Sequence, residues 1–200
     1  MKDLDKILKA LKKNKSRDPH GFVNEIFKPE VIGFDLKNSL LMLFNRLKQE
    51  HHIPSFMQFA DIFAIYKGKG EKSSLENERG FFILNRFRSI MMKLIYGEKY
   101  ETIDQNMSDS NIGACKNKNI RNHLFILNGL INDVLNNKGK CIDILIVDYK
   151  QCFDAMWLDE CVNDLFKAGM KDDHLYLLYK ANSMNQVAVK TPFGKTERKL

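Results

Sequence analysis

Apolar residues recur along the chain in two different periods, and the change of period marks off helices from strands. Leu4, Ile7, Leu8 and Leu11 stand three and four apart with lysines between them, which predicts an amphipathic helix over 3–13. Leu36, Leu40, Leu43, Phe44 and Leu47 predict a second helix over 35–50, capped by Asp35 and closed at His51-His52-Ile53-Pro54. Ile90, Leu94, Ile95 and Ile103 mark a helix over 89–103. Leu124, Leu127, Ile131 and Leu135 give the buried face of another over 123–135, stopped by Asn136-Asn137-Lys138-Gly139. Two further helices are predicted over 158–168, ending at Gly169, and over 173–181. Period two appears over 61–66, 77–85 and 186–191, the last turned by Pro192-Phe193-Gly194 into the start of a hairpin. Ile142 and Ile144 to Val147 form a nearly continuous aliphatic run that ends at Asp148, the mark of a strand buried on both faces. This order predicts an α+β fold, with helices packed on a small, mostly antiparallel sheet.

Composition narrows the picture moderately. At 200 residues and 44% hydrophobic content the chain can build one substantial core. A net charge of +7 suits a polyanionic partner, although many soluble domains carry as much without one. The four cysteines Cys115, Cys141, Cys152 and Cys161 show no short paired spacing, and the five histidines are scattered. Neither a zinc site nor a disulfide framework is expected, and reduced thiols in an intracellular protein, in cytoplasm or nucleus, are. Met1-Lys2-Asp3-Leu4-Asp5-Lys6 reads as a charged helix start rather than a signal peptide. No apolar run approaches the roughly 20 residues of a membrane span.

Three places carry candidate chemistry. An ionised Asp148 at the end of an apolar strand needs a backbone donor, a basic side chain or a divalent cation to offset its burial. It could equally be a turn or cap residue, and Asp154 could cap a helix starting near Ala155. Tyr66-Lys67-Gly68-Lys69-Gly70 puts two lysines between glycines straight after a strand, a loop able to close over phosphates or simply an exposed turn. It lacks the spacing of a P-loop. Arg79 has the planar guanidinium that suits phosphate oxygens, but Glu76 and Glu78 lie within reach for a surface ion pair. Basic clusters at Lys12, Lys13, Lys15 and Arg17, and at Lys116, Lys118 and Arg121, fit either a nucleic-acid contact or a solvated helix end or loop.

The string Asp148-Tyr149-Lys150-Gln151-Cys152-Phe153-Asp154 resembles the first palm motif of reverse transcriptases, in the form seen in non-LTR retrotransposons. Cys152 stands where that family usually has Ala. Other strings agree in order: Asp18-Pro19-His20-Gly21 is a looser version of the opening Lys-x-x-Gly-x-Asp-Gly, followed by Ile53-Pro54 and Lys67-Gly68-Lys69-Gly70. Asn77-Glu78-Arg79-Gly80-Phe81 is similar to Asn-Tyr-Arg-Gly-Ile, and Ser108 to Ala114 to a Ser…Gln-x-Gly-Phe link. Glu78 replaces Tyr and adds a negative charge beside the expected phosphate site, while Asn111 and Ala114 replace Gln and an aromatic.

The resemblance covers roughly 15–198 and implies the fingers and first part of the palm of a right-hand polymerase fold. The chain would be one incomplete reverse transcriptase domain over 1–200, with 1–140 mainly fingers and 141–200 the first part of the palm. It implies two-metal nucleotidyl transfer by an RNA-directed DNA polymerase, with Mg²⁺, or alternatively Mn²⁺, as cofactor. Asp148 would be the catalytic carboxylate and a ligand of both ions, with the carbonyl of Tyr149 a ligand of one. Lys67, Lys69 and Arg79 would hold the deoxynucleoside triphosphate, and Phe153 would stack under its sugar. Lys116, Lys118 and Arg121 would face the template, the partners being an RNA template, a DNA primer and the remaining palm and thumb of the full-length protein. The family's Gln-Gly motif and its Asp-Asp hairpin, which carries the second catalytic carboxylate, do not occur in these residues. The chain by itself is therefore expected not to polymerise. The alternative is a degenerate, non-catalytic module that keeps the fold and the basic surface.

Overall fold

The computed structural model describes residues 1–108, 110–111, 113, 115, 118–137, 141–149, 155–170, 173–191 and 194–197. The helices are α1 (Lys2–Ala10), α2 (Pro29–Ile32), α3 (Phe34–Gln49), α4 (Arg86–Gln105), α5 (Ile120–Asn136), α6 (Leu158–Lys167) and α7 (Asp173–Ser183). The strands are β1 (Phe59–Tyr66), β2 (Glu78–Leu84), β3 (Gln186–Thr191) and β4 (Gly194–Lys195). The architecture is α+β.

The main core is built chiefly from α1, α3, α4 and α7, with Ile32 of α2 joining it. Leu4 and Leu8 of α1, Phe44 and Leu47 of α3, Ile90, Met91 and Ile95 of α4, and Leu177 and Ala181 of α7 pack together. Leu4 and Leu8 are wholly buried, each contributing about 1.5–3 kcal/mol by burial alone. A smaller cluster of Ile103, Met170 and Leu175, with Val162 and Leu165 against it, fastens α6 and α7 to the end of α4. Asn85 caps α4 by accepting from the Arg88 amide at 3.2 Å. α3 departs from expectation: Gly33, not Asp35, is its N-cap, and Leu36 is exposed.

The strands form one mixed sheet in the order β2-β1-β3-β4. β1 pairs antiparallel with β2 and parallel with β3, and β3 pairs antiparallel with β4. Two of three pairings are thus antiparallel, but the central one is parallel and draws chain from both 1–140 and 141–200 into one sheet.

Two further expectations are overturned. Residues 141–149 form no strand, and Leu145 and Ile146 are 89% and 86% exposed. A strand apolar on both faces needs hydrogen-bonded neighbours and cover. The inner strands β1 and β3 already have partners on both sides, and neither edge strand pairs with 142–147. α5 has the expected period and an Asn119 cap, yet none of its residues is buried, and Leu124 and Leu135 lie exposed. Periodicity fixes the helix; burial needs a facing surface that the described residues do not supply. Among those residues no helix is long and apolar enough to cross a membrane.

Candidate functional site

The β1–β2 hairpin places the best-defined candidate residues. The ladder continues one step past the strands, where the Lys67 amide donates to the Asn77 carbonyl at 2.8 Å. Gly68 and Gly70 take φ of 78° and 76°, a region where a side chain is strained. A Cβ at Gly70 would also collide with the Asn77 amide group, which itself donates to the Glu71 carbonyl at 3.0 Å. The glycines therefore serve the shape of the loop. The Lys67 ammonium donates to the Glu76 carbonyl, while Lys69 stands exposed at the tip. Tyr66 closes the loop from below by donating to the Gly70 carbonyl at 2.5 Å, with Lys72 over its ring.

Register and alternation sort the side chains of the sheet into two faces. Ile65 pairs with Arg79, Phe63 with Phe81 and Asp61 with Ile83. Across β3, Phe63 pairs with Lys190 and Asp61 with Ala188, and Lys190 in turn pairs with Lys195. Arg79, Lys190 and Lys195 thus share one face with Phe63 and Phe81. Lys190 lies over the Phe63 ring at 5.2 Å. Lys195 reaches across the small, buried Ala188 to the buried Asp61 carboxylate at 2.6 Å. The other face carries Ile62, Ala64 and Tyr66 against Phe82, Gly80 and Glu78, with Val187 and Val189 beside them. Glu78 therefore points away from Arg79, so its charge is removed from the guanidinium by the thickness of the sheet. Arg79 is exposed and, among the described residues, makes no ion pair with Glu76 or Glu78.

The remaining candidates are dispersed. Asp148 and Tyr149 lie exposed on the irregular segment 141–149, not at the end of a buried strand. Among the described residues no hydrogen bond or ion pair joins Asp148 to Lys67, Lys69 or Arg79. Arg121 lies in the first turn of α5, its amide donating to the Asn119 side chain at 2.8 Å, with Lys118 just before the helix. Lys116, Phe153 and Asp154 lie outside the described residues. Asn111, at the family's Gln position, instead forms a local turn by accepting from Gly113 at 3.0 Å. His51 pairs with Asp173 at 2.8 Å, a contact between the end of α3 and the start of α7.

A hard cation such as Mg²⁺ is held by oxygen ligands, typically one or two carboxylates plus substrate phosphates. Among the described residues no three His, Cys, Asp or Glu side chains converge. Asp148 is exposed.

Two buried polar groups escaped the sequence reading. The Asp18 carboxylate accepts from the amides of His20 at 2.9 Å, Phe22 at 2.8 Å and Arg86 at 2.9 Å. It ties the 18–22 loop to the start of α4, immediately after the hairpin. Arg88 is buried in the first turn of α4 and donates to Asn185 and, at 3.2 Å, to Asn182. Burial pushes its guanidinium down to about 10. A groove of about 630 Å³ between α1 and α4 is lined by Lys6, Lys93, Tyr96, Tyr100 and Cys115, none of them a candidate residue. No protein-family model matches the chain, and no curated protein matches it.

Proposed function

We propose that the chain is the fingers and first part of the palm of an RNA-directed DNA polymerase of the non-LTR retroelement kind, unable to polymerise by itself. The observation that carries this reading is the β1–β2 hairpin. It presents Lys67, Lys69 and Arg79 from one tight antiparallel unit, in a chain whose other motif-like strings follow in the family's order. On this reading the hairpin supplies cations to a triphosphate, with Arg79 contributing two parallel donors where a lysine offers a point charge. Lys118 and Arg121 contribute charge toward a template, and Phe153 a stacking surface for the sugar. Mg²⁺ belongs to the complete enzyme, inside the cell, in cytoplasm or nucleus, where the remaining palm would cover 142–147 and bring a second carboxylate to Asp148.

A second reading, a nucleic-acid-binding module without catalysis, is favoured by one observation: Asp148 lies on an exposed segment that joins no strand.

The two separate in one reaction, in which the chain is incubated with a primed RNA template and a photoreactive deoxynucleoside triphosphate. The polymerase reading predicts label within 67–79, lost in Arg79→Ala, and no extension of the primer with Mg²⁺ or Mn²⁺. Label spread over the surface and indifferent to Arg79→Ala contradicts it. Primer extension abolished by Asp148→Ala contradicts the claim that the catalytic centre is incomplete.

A further inference from the structure

We propose that the sheet face bearing Phe63, Phe81, Arg79, Lys190 and Lys195 is a platform for single-stranded RNA. It rests on the polymerase reading for the choice of RNA, and not for its geometry. Every Lys and Arg within the four strands falls on this one face, and the only strand Glu, Glu78, falls on the other. Alternation alone would scatter charges over both. The row Phe81–Phe63–Lys190–Lys195 crosses all four strands, with Arg79 one step toward the hairpin.

The chemistry of the row fits a strand with its bases unpaired. Phe81 is 57% exposed, an uncovered ring on a rigid strand, where a base can stack without ordering cost to the protein. Lys190 already lies over Phe63, so its ammonium is held at the level of the ring plane, placed for a phosphate beside a stacked base. Asp61 neutralises much of Lys195 and fixes it across Ala188, leaving Arg79 and Lys190 as the principal phosphate partners. A duplex offers its phosphates to such a surface but not the faces of its bases, so single strands are preferred.

The opposite face supplies the control. Phe82 is the chain neighbour of Phe81 and is 51% exposed, but no strand Lys or Arg falls on its face, where Lys72 of the hairpin loop lies over the Tyr66 ring. Binding of a labelled oligouridine to the full chain at low salt, followed by fluorescence anisotropy, is the test, with Phe81→Ala, Phe82→Ala and Lys190→Gln compared. Both rings are exposed, so neither truncation opens the core. Phe81→Ala is expected to weaken binding about five- to tenfold and Phe82→Ala less than about twofold. Lys190→Gln is expected to reduce the slope of log affinity against log salt by about 0.7. Equal effects of Phe81→Ala and Phe82→Ala, or duplex RNA bound as tightly as oligouridine, overturn the platform while leaving the polymerase reading standing. Absence of any RNA binding at low salt overturns both.

Discussion

Asp18 illustrates what a single carboxylate contributes when three backbone amides converge on it. Each is a charge-assisted bond in a buried place, and losing the acceptor leaves three donors without a partner. Asp18→Ala is expected to lower the unfolding free energy by about 2–4 kcal/mol in urea titration. Asp35→Ala, in the exposed first turn of α3, should stay within about 0.5 kcal/mol. Equal midpoints for the two variants would remove Asp18 from its stapling role. Glu98 adds a pH dependence. Burial raises its pKa, but hydrogen bonds from Lys48 at 2.7 Å and His174 at 3.1 Å outweigh that and hold it below the ordinary 4.5. A depressed carboxylate stabilises the fold above its unfolded pKa and loses that contribution as pH falls through the folded value. The stability gap between the parent chain and Glu98→Gln should therefore be full near pH 6 and shrink below about 4.5; a gap that widens in acid contradicts the assignment. Neither role was legible in the sequence. Asp18-Pro19-His20-Gly21 reads as a turn, and the Arg86 amide it holds lies far along the chain. The lysines and glycines of the hairpin were legible, because a turn is a local event.

At the scale of elements, amphipathic period located α1, α3, α4, α6 and α7 within a few residues, and alternation located β1, β2 and β3. Burial was another matter. The sequence reading gave α5 and 142–148 apolar interiors, yet both lie open, since period reports which side chains share a face and not what meets that face. The parallel pairing of β1 with β3 was equally out of reach, as were the bonds from Arg88 to Asn182 and Asn185 that tie the end of α7 and the turn before β3 to the start of α4. Exposed Leu145, Ile146 and Val147 form a contiguous apolar segment of the kind that drives self-association. Replacing Leu145 and Ile146 with Lys is expected to leave the unfolding midpoint nearly unchanged, within about 0.5 kcal/mol, and to abolish concentration-dependent association in sedimentation velocity. A large loss of stability would mean that these side chains are buried after all.

Across the whole molecule, a helical core and a small mixed sheet hold one basic hairpin and one cationic sheet face, while the segment with Asp148 is exposed and joins no strand. The hairpin that carries Lys67, Lys69 and Arg79 was legible in the sequence because its residues are neighbours; the placement of Asp148 was not, because a strand at 142–148 depends on partners from elsewhere in a fold. The proposed binding of polyanions by this basic surface is measurable in one titration. Affinity of the chain for a primed RNA template, measured from low to physiological salt, should fall along a straight line in log–log form with a slope of about −2 to −4, as counterions released by three to five phosphate contacts require. An affinity indifferent to salt over that range, or no binding at the low-salt end, contradicts the account.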